Sequence, residues 1–195
     1  MNNNKNINDN PLSRIWKERY DEQPSDIKKR LDELYNQSSI QYQLKVIKRK
    51  RIIPKKGDVF LVNPMDSLYF FGVVINDNVS NKNGDGLYVV MIFRNKAETL
   101  SDTKFVVEYN NLLIKPSIVG KEYWTKGYFY NIESRVEPSK DSSYGFYSIG
   151  KGKYVDEYGN EIFIKPYLLG TFGVSTIDGI AYEINKELII DKSLL

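Results

Sequence analysis

Residues Lys55 to Ile75 constrain the fold more than any other stretch of the chain. Val59-Phe60-Leu61-Val62 is an unbroken apolar run. Strand side chains alternate between faces, so this ribbon is apolar on both. Such a strand needs cover above and below, as in the interior of a sandwich or barrel. Pro64-Met65-Asp66 supplies a tight turn, and Ser67 to Ile75 reads as a second strand. Gly57 stands at the mouth of the first strand, where a turn needs φ freedom. Gly72 lies alone inside the second and predicts a bulge or a bend.

The chain before this hairpin has a different character. Residues 1–10 are Asn-rich and expected to be a disordered tail. Asn10-Pro11 is a helix start, with Leu12, Ile15, Trp16 and Tyr20 at helical spacing. After Gln23-Pro24, Ser25 is expected to cap a second helix whose apolar face is Ile27, Leu31, Leu34 and Tyr35. The expected division is a tail at 1–10, a helical extension at 11–44 and a β-rich domain at 45–195.

Beyond the hairpin, Asp77 to Gly86 reads as a long flexible loop and Leu87 to Arg94 as a third strand. Thr103 to Ile114 is open between strand and helical turn, closed by Pro116. In the aromatic block Tyr123 to Tyr130, Trp124 and Phe129 are expected in the core, while Tyr128 and Tyr130 share a strand face that could be exposed. Gly145 to Ile149 is a short strand. Lys153 to Ile164 reads as a hairpin turning at Gly159-Asn160. Pro166 to Phe172 and Gly179 to Ile190 read as further short strands, or a strand and a turn. The expected class is mainly β (α+β): a twisted antiparallel sheet, or a partly open SH3-like barrel, with an N-terminal helical pair.

Composition narrows function by exclusion. The chain contains no Cys and no His. Thiol chemistry, imidazole triads and His-ligated zinc are therefore impossible. No nucleophile–base pair, metal cluster or cofactor loop rises above chance, so the expectation is no catalytic residue, no metal and no cofactor. The stretch Met1 to Asn6 lacks the apolar core of a signal peptide, and no run is long and apolar enough to span a bilayer. A cytoplasmic location without membrane contact is expected. The net charge of +3 hides an asymmetry: residues 1–57 hold fourteen Lys/Arg against seven Asp/Glu, leaving the remainder mildly acidic. Lys45 to Lys56 alone carries seven basic residues and no acid. Without interleaved aromatic rings, this run implies at most weak, nonspecific nucleic-acid binding.

Three segments line up with one family. Lys55-Lys56-Gly57-Asp58-Val59-Phe60 leads into Tyr69-Phe70-Phe71-Gly72-Val73-Val74. Leu112 to Val119 leads into Trp124-Thr125-Lys126-Gly127-Tyr128-Phe129, and Tyr154-Val155-Asp156-Glu157-Tyr158-Gly159 follows. In order and spacing they resemble the immunity protein 26 family of bacterial polymorphic toxin systems, over roughly residues 48–165. The helices at 11–36 depart from the usual short family start. The resemblance implies a mostly β protein that binds a cognate toxin, and it carries no catalytic residues with it. If the toxin has a basic cleft, acidic loop residues should meet it: Asp141, Asp156, Glu157 and Glu161, with Tyr128 or Tyr154 as aromatic anchors. Two other readings stay open, a small β-barrel nucleic-acid-binding protein and an SH3-like endoribonuclease.

Overall fold

A computed structural model describes residues 10–138 and 143–195. Apart from Asn10, the tail at 1–10 lies outside the described residues.

Five strands form one antiparallel sheet: β1 (Asp58–Met65), β2 (Leu68–Asn81), β3 (Gly84–Ala97), β4 (Leu112–Val119) and β5 (Phe129–Arg135), in the order β4-β3-β2-β1-β5. Strand β1 lies inside the sheet, between β2 and β5, and is buried on both faces, as its unbroken apolar run requires. Phe60 and Val62 point one way; Val59 and Leu61 point the other. The sheet is open, not a closed barrel. Gly72 pairs opposite Phe60, and a Cβ there would lie 2.3 Å from the Phe60 ring. The missing side chain makes room for that ring, which stacks on Phe129 at 4.3 Å. The ladder with β3 shifts register beside Gly72. The β1–β2 turn falls at Asp66 and Ser67, with Ser67 left-handed at φ 63°.

Two layers cover the sheet. On the Phe60 face lies the helix α4 (Ile177–Ile190), packing Ile180, Ala181, Ile184 and Leu188. This corrects the expected strand at 179–190. The segment is rich in β-branched Ile, yet its apolar residues recur at helical spacing, and the Thr176 hydroxyl accepts from the Gly179 N–H at 3.0 Å to cap the first turn. On the Val59 face lies a small sheet of order β7-β6-β8: β6 (Tyr144–Ser148), β7 (Lys153–Val155) and β8 (Leu168–Thr171). It contributes Phe146 and Val155, with Phe172 just beyond β8. Gly170 lets it approach closely, since a Cβ there would sit 2.2 Å from the Pro116 carbonyl oxygen. Pro116 does not close its segment but lies within β4, on the sheet edge where a missing N–H costs least.

Helices α1 (Pro11–Asp21) and α2 (Ser25–Asn36) form the predicted pair. Asn10 caps α1 through Oδ1, which accepts from the Leu12 N–H at 3.0 Å. At α2 the cap position is Pro24, and Ser25 is already helical. Ile27, Leu31 and Leu34 are buried, while Tyr35 points to solvent. Asp77 to Gly86 is not a loop. β2 and β3 stay paired to Asn81 and Gly84 and turn at Lys82-Asn83. Backbone pairing is indifferent to the polar side chains here, and buried Val79 anchors the ribbon. The short helix α3 (Glu122–Thr125) seats Tyr123 and Trp124 in the core beside Phe129, as expected for Trp124 and Phe129.

Candidate functional site

The run Lys153 to Tyr167 gathers four of the residues singled out in the sequence. Tyr154 ends on β7, half-buried, in edge contact with Tyr147 at 5.7 Å. The turn that follows is built by Asp156. Its Oδ1 accepts from the N–H groups of Tyr158 (2.9 Å) and Asn160 (2.8 Å), and Oδ2 accepts from Asn160 Nδ2 at 2.9 Å. Gly159 takes φ 89°, the left-handed conformation this turn demands.

Glu157 staples the turn to the long β2–β3 ribbon. Its Oε1 accepts from Asn76 Nδ2 at 2.8 Å and from the Tyr144 hydroxyl at 2.7 Å. Its carbonyl oxygen accepts from Asn81 Nδ2 at 2.8 Å. Burial, followed by this carboxylate, pushes the Tyr144 phenol well above the ordinary tyrosine range. Asp156 and Glu157 thus hold the turn in shape. Glu161 is the exposed acid of the set and pairs with Lys153 at 2.7 Å.

Only a single bridge, Val155 to Glu161, continues the hairpin. The expected second strand at 162–164 is absent, because Pro166 turns the chain away. Ile162 donates its N–H to the Tyr154 carbonyl at 2.9 Å, and buried Pro166 packs beneath Gly145. Between these two anchors Phe163 and Ile164 project outward, 90% and 81% exposed, with Tyr167 beyond them at 76%. Two large apolar side chains on adjacent residues, this exposed and mounted between fixed points, are costly to leave in water without a partner. Sequence reasoning missed them because Ile162-Phe163-Ile164 has the composition of a core strand. The signal was Pro166, which a paired strand does not tolerate.

The other predicted residues fall elsewhere. Tyr128 precedes β5 and packs half-buried against the α4-side core, whereas Tyr130, on β5, packs against the opposite core. The two do not share an exposed strand face. Asp141 lies outside the described residues. The basic run 45–56 is an extended strap along the end of the main sheet. Lys45 donates its N–H to the Asn63 carbonyl (2.7 Å) and Ile47 to that of Gly127 (2.8 Å). Gly127 (φ 86°) is what permits this contact, since a Cβ would meet the Lys48–Arg49 backbone at 2.8 Å. Part of the positive charge is engaged: Lys45 with Asp66, Lys55 with Asp77, and Lys50 over the Tyr130 ring. Lys48, Arg49, Arg51 and Lys56 point to solvent. No described helix is long and apolar enough to cross a membrane.

The family model described as immunity protein 26 matches residues 55–155, just over half of the chain. The match spans the five-stranded sheet, α3, β6 and β7. Helices α1, α2 and α4 and the loop at 156–167 lie beyond it. No curated protein and no solved structure matches the chain.

Proposed function

Since the chain belongs to the immunity protein 26 family, we propose that it binds and neutralises a cognate protein toxin of a bacterial polymorphic toxin system. It acts by occupying a surface of the toxin, without catalysis. The observation that carries the location is the loop Asp156 to Tyr167: Phe163 and Ile164 stand almost fully exposed on a turn fixed at both ends. Anchors held this way lose little conformational freedom on binding, and burying each contributes about 2 kcal/mol. The acids Asp156, Glu157 and Glu161 in the same turn add a negative field that speeds encounter with a basic toxin surface. Tyr154 lies beside them and extends the apolar contact.

The test is binding to the protein encoded beside this chain's gene, with two variants confirmed to melt like the parent. Phe163→Ala/Ile164→Ala should weaken the complex at least 100-fold, mainly through faster dissociation. Glu161→Lys should slow association and lower its salt dependence. Unchanged affinity and kinetics in both would exclude this loop as the contact.

A further inference from the structure

A cleft of about 350 Å³ opens between α1, β4, β8 and α4, and the end of the loop just described, at Lys165 and Tyr167, forms part of its rim. We infer that it is a binding site for a small organic anion, a carboxylate or phosphate carried on an apolar body. The charge on its walls is unbalanced: five cations line it against two carboxylates, Glu183 and Glu187.

The pairing inside the cleft is specific and leaves a remainder. Glu187 is saturated, accepting from both Arg19 Nη atoms at 2.5 and 2.7 Å and from Arg94 Nη2 at 2.7 Å. Arg94 gives its other Nη to Asp191 at 2.9 Å. Lys186 donates to Glu183 at 2.9 Å and lies over the Trp16 ring at 3.9 Å. Two ammonium groups, Lys115 on β4 and Lys165 from the loop before β8, then have no carboxylate or hydrogen-bond partner among the described residues. Lys115 is the more telling. The residue keeps an exposed surface, yet partial desolvation by the cleft walls holds its ammonium below the ordinary lysine range, ahead of any effect of the nearby acids. An anion placed between Lys115 and Lys165 would supply the missing countercharge.

The remaining wall is apolar. Leu12 and Ile15 from α1 belong to it, with Pro116 and Leu169. A ligand with an apolar or aromatic body fits that side, and its anionic group fits the lysine side, the usual division of a small-molecule site. A bare inorganic anion would use only half of the cleft. The ligand also touches both α1 and α4, so its binding should favour the docked position of the N-terminal helices.

The experiment uses the full chain with phenyl phosphate as probe and inorganic phosphate as comparison, at matched ionic strength, by calorimetry and thermal melting. Phenyl phosphate should bind with submillimolar affinity and raise the melting temperature, and inorganic phosphate should bind at least tenfold more weakly. Lys115→Met and Lys165→Met should each weaken phenyl phosphate binding about tenfold while leaving the ligand-free melting temperature in place. Neutralising Lys48 and Arg49 on the strap should change nothing. Equal binding of the two probes, or loss in the strap variant with retention in the lysine variants, would overturn the assignment and mark nonspecific polyanion attraction. The readouts need no toxin, so the outcome is independent of the function proposed above.

Discussion

The Glu187 carboxylate accepts both terminal nitrogens of Arg19, a residue 168 positions earlier in the chain. This contact fastens the N-terminal helices to α4, which in turn covers one face of the main sheet. Glu187 is nearly buried, whereas Arg19 and Arg94 are partly exposed. Replacing Glu187 with Ala strands two cations in a half-dry site and should cost about 2–3 kcal/mol, below the full cost of breaking a buried pair because solvent reaches the arginines. Urea denaturation of Glu187→Ala and Arg19→Ala measures this, and the double variant should be less destabilised than the sum of the two.

Gly72→Ala tests the fit of β2 against the Phe60 ring. The added methyl meets a ring already packed against Phe129 and Trp124. The expected loss is about 2–3 kcal/mol by overpacking. In a Phe60→Leu background the same change should cost distinctly less. Equal costs in the two backgrounds would mean that the backbone of Gly72, and not the ring, sets the requirement.

Stability should fall in alkali. Burial holds the phenols of Tyr123 and Tyr144 far above their ordinary range, and Glu157 adds to the effect at Tyr144. The folded values are raised, so the unfolded chain ionises first, near pH 10. Their contribution is therefore intact below about pH 10 and lost as pH rises beyond it towards the folded values. Each tyrosine steepens the decline by about 1.4 kcal/mol per pH unit. Tyr144→Phe should remove one such increment above pH 10 and leave the pH dependence between 7 and 9 unaltered, as followed by melting temperature.

Nucleic acid should bind weakly through the strap. Lys48, Arg49, Arg51 and Lys56 face solvent without aromatic platforms between them. Affinity for single- and double-stranded probes should be alike and should collapse between about 50 and 200 mM salt. Submicromolar, sequence-selective binding at physiological salt would instead support a nucleic-acid-binding role.

Local rules made much of this fold readable. Val59 to Val62 demanded two covering layers, and the main sheet has both. Asn10-Pro11 marked the start of α1 to the residue. The failures came where local preference and tertiary packing disagree. The Ile-rich segment 177–190 has strand propensity, but the spacing of Ile180, Ile184 and Leu188 fits one helical face over the sheet. Polar residues 77–86 resemble a loop, although their backbone completes a ladder. Phe163 and Ile164 resemble core, but Pro166 leaves them outside. At the candidate site, the carboxylates of Asp156 and Glu157 were legible as acids in a turn. Their partners, the turn's own N–H groups for one and Asn76 and Tyr144 for the other, became visible only in three dimensions.

Order of synthesis and order of docking are opposed in this chain. Helices α1 and α2 leave the ribosome some 160 residues before α4, which supplies the Arg19 clasp and the apolar shelf for α2. At about 5–20 residues per second, that interval is roughly 10–30 s. Throughout it, the stripe of Ile27, Leu31 and Leu34 has no permanent seat, and the Phe60 face of the emerging sheet stands without its cover. The nascent chain therefore passes through a period of exposed apolar surface at both places.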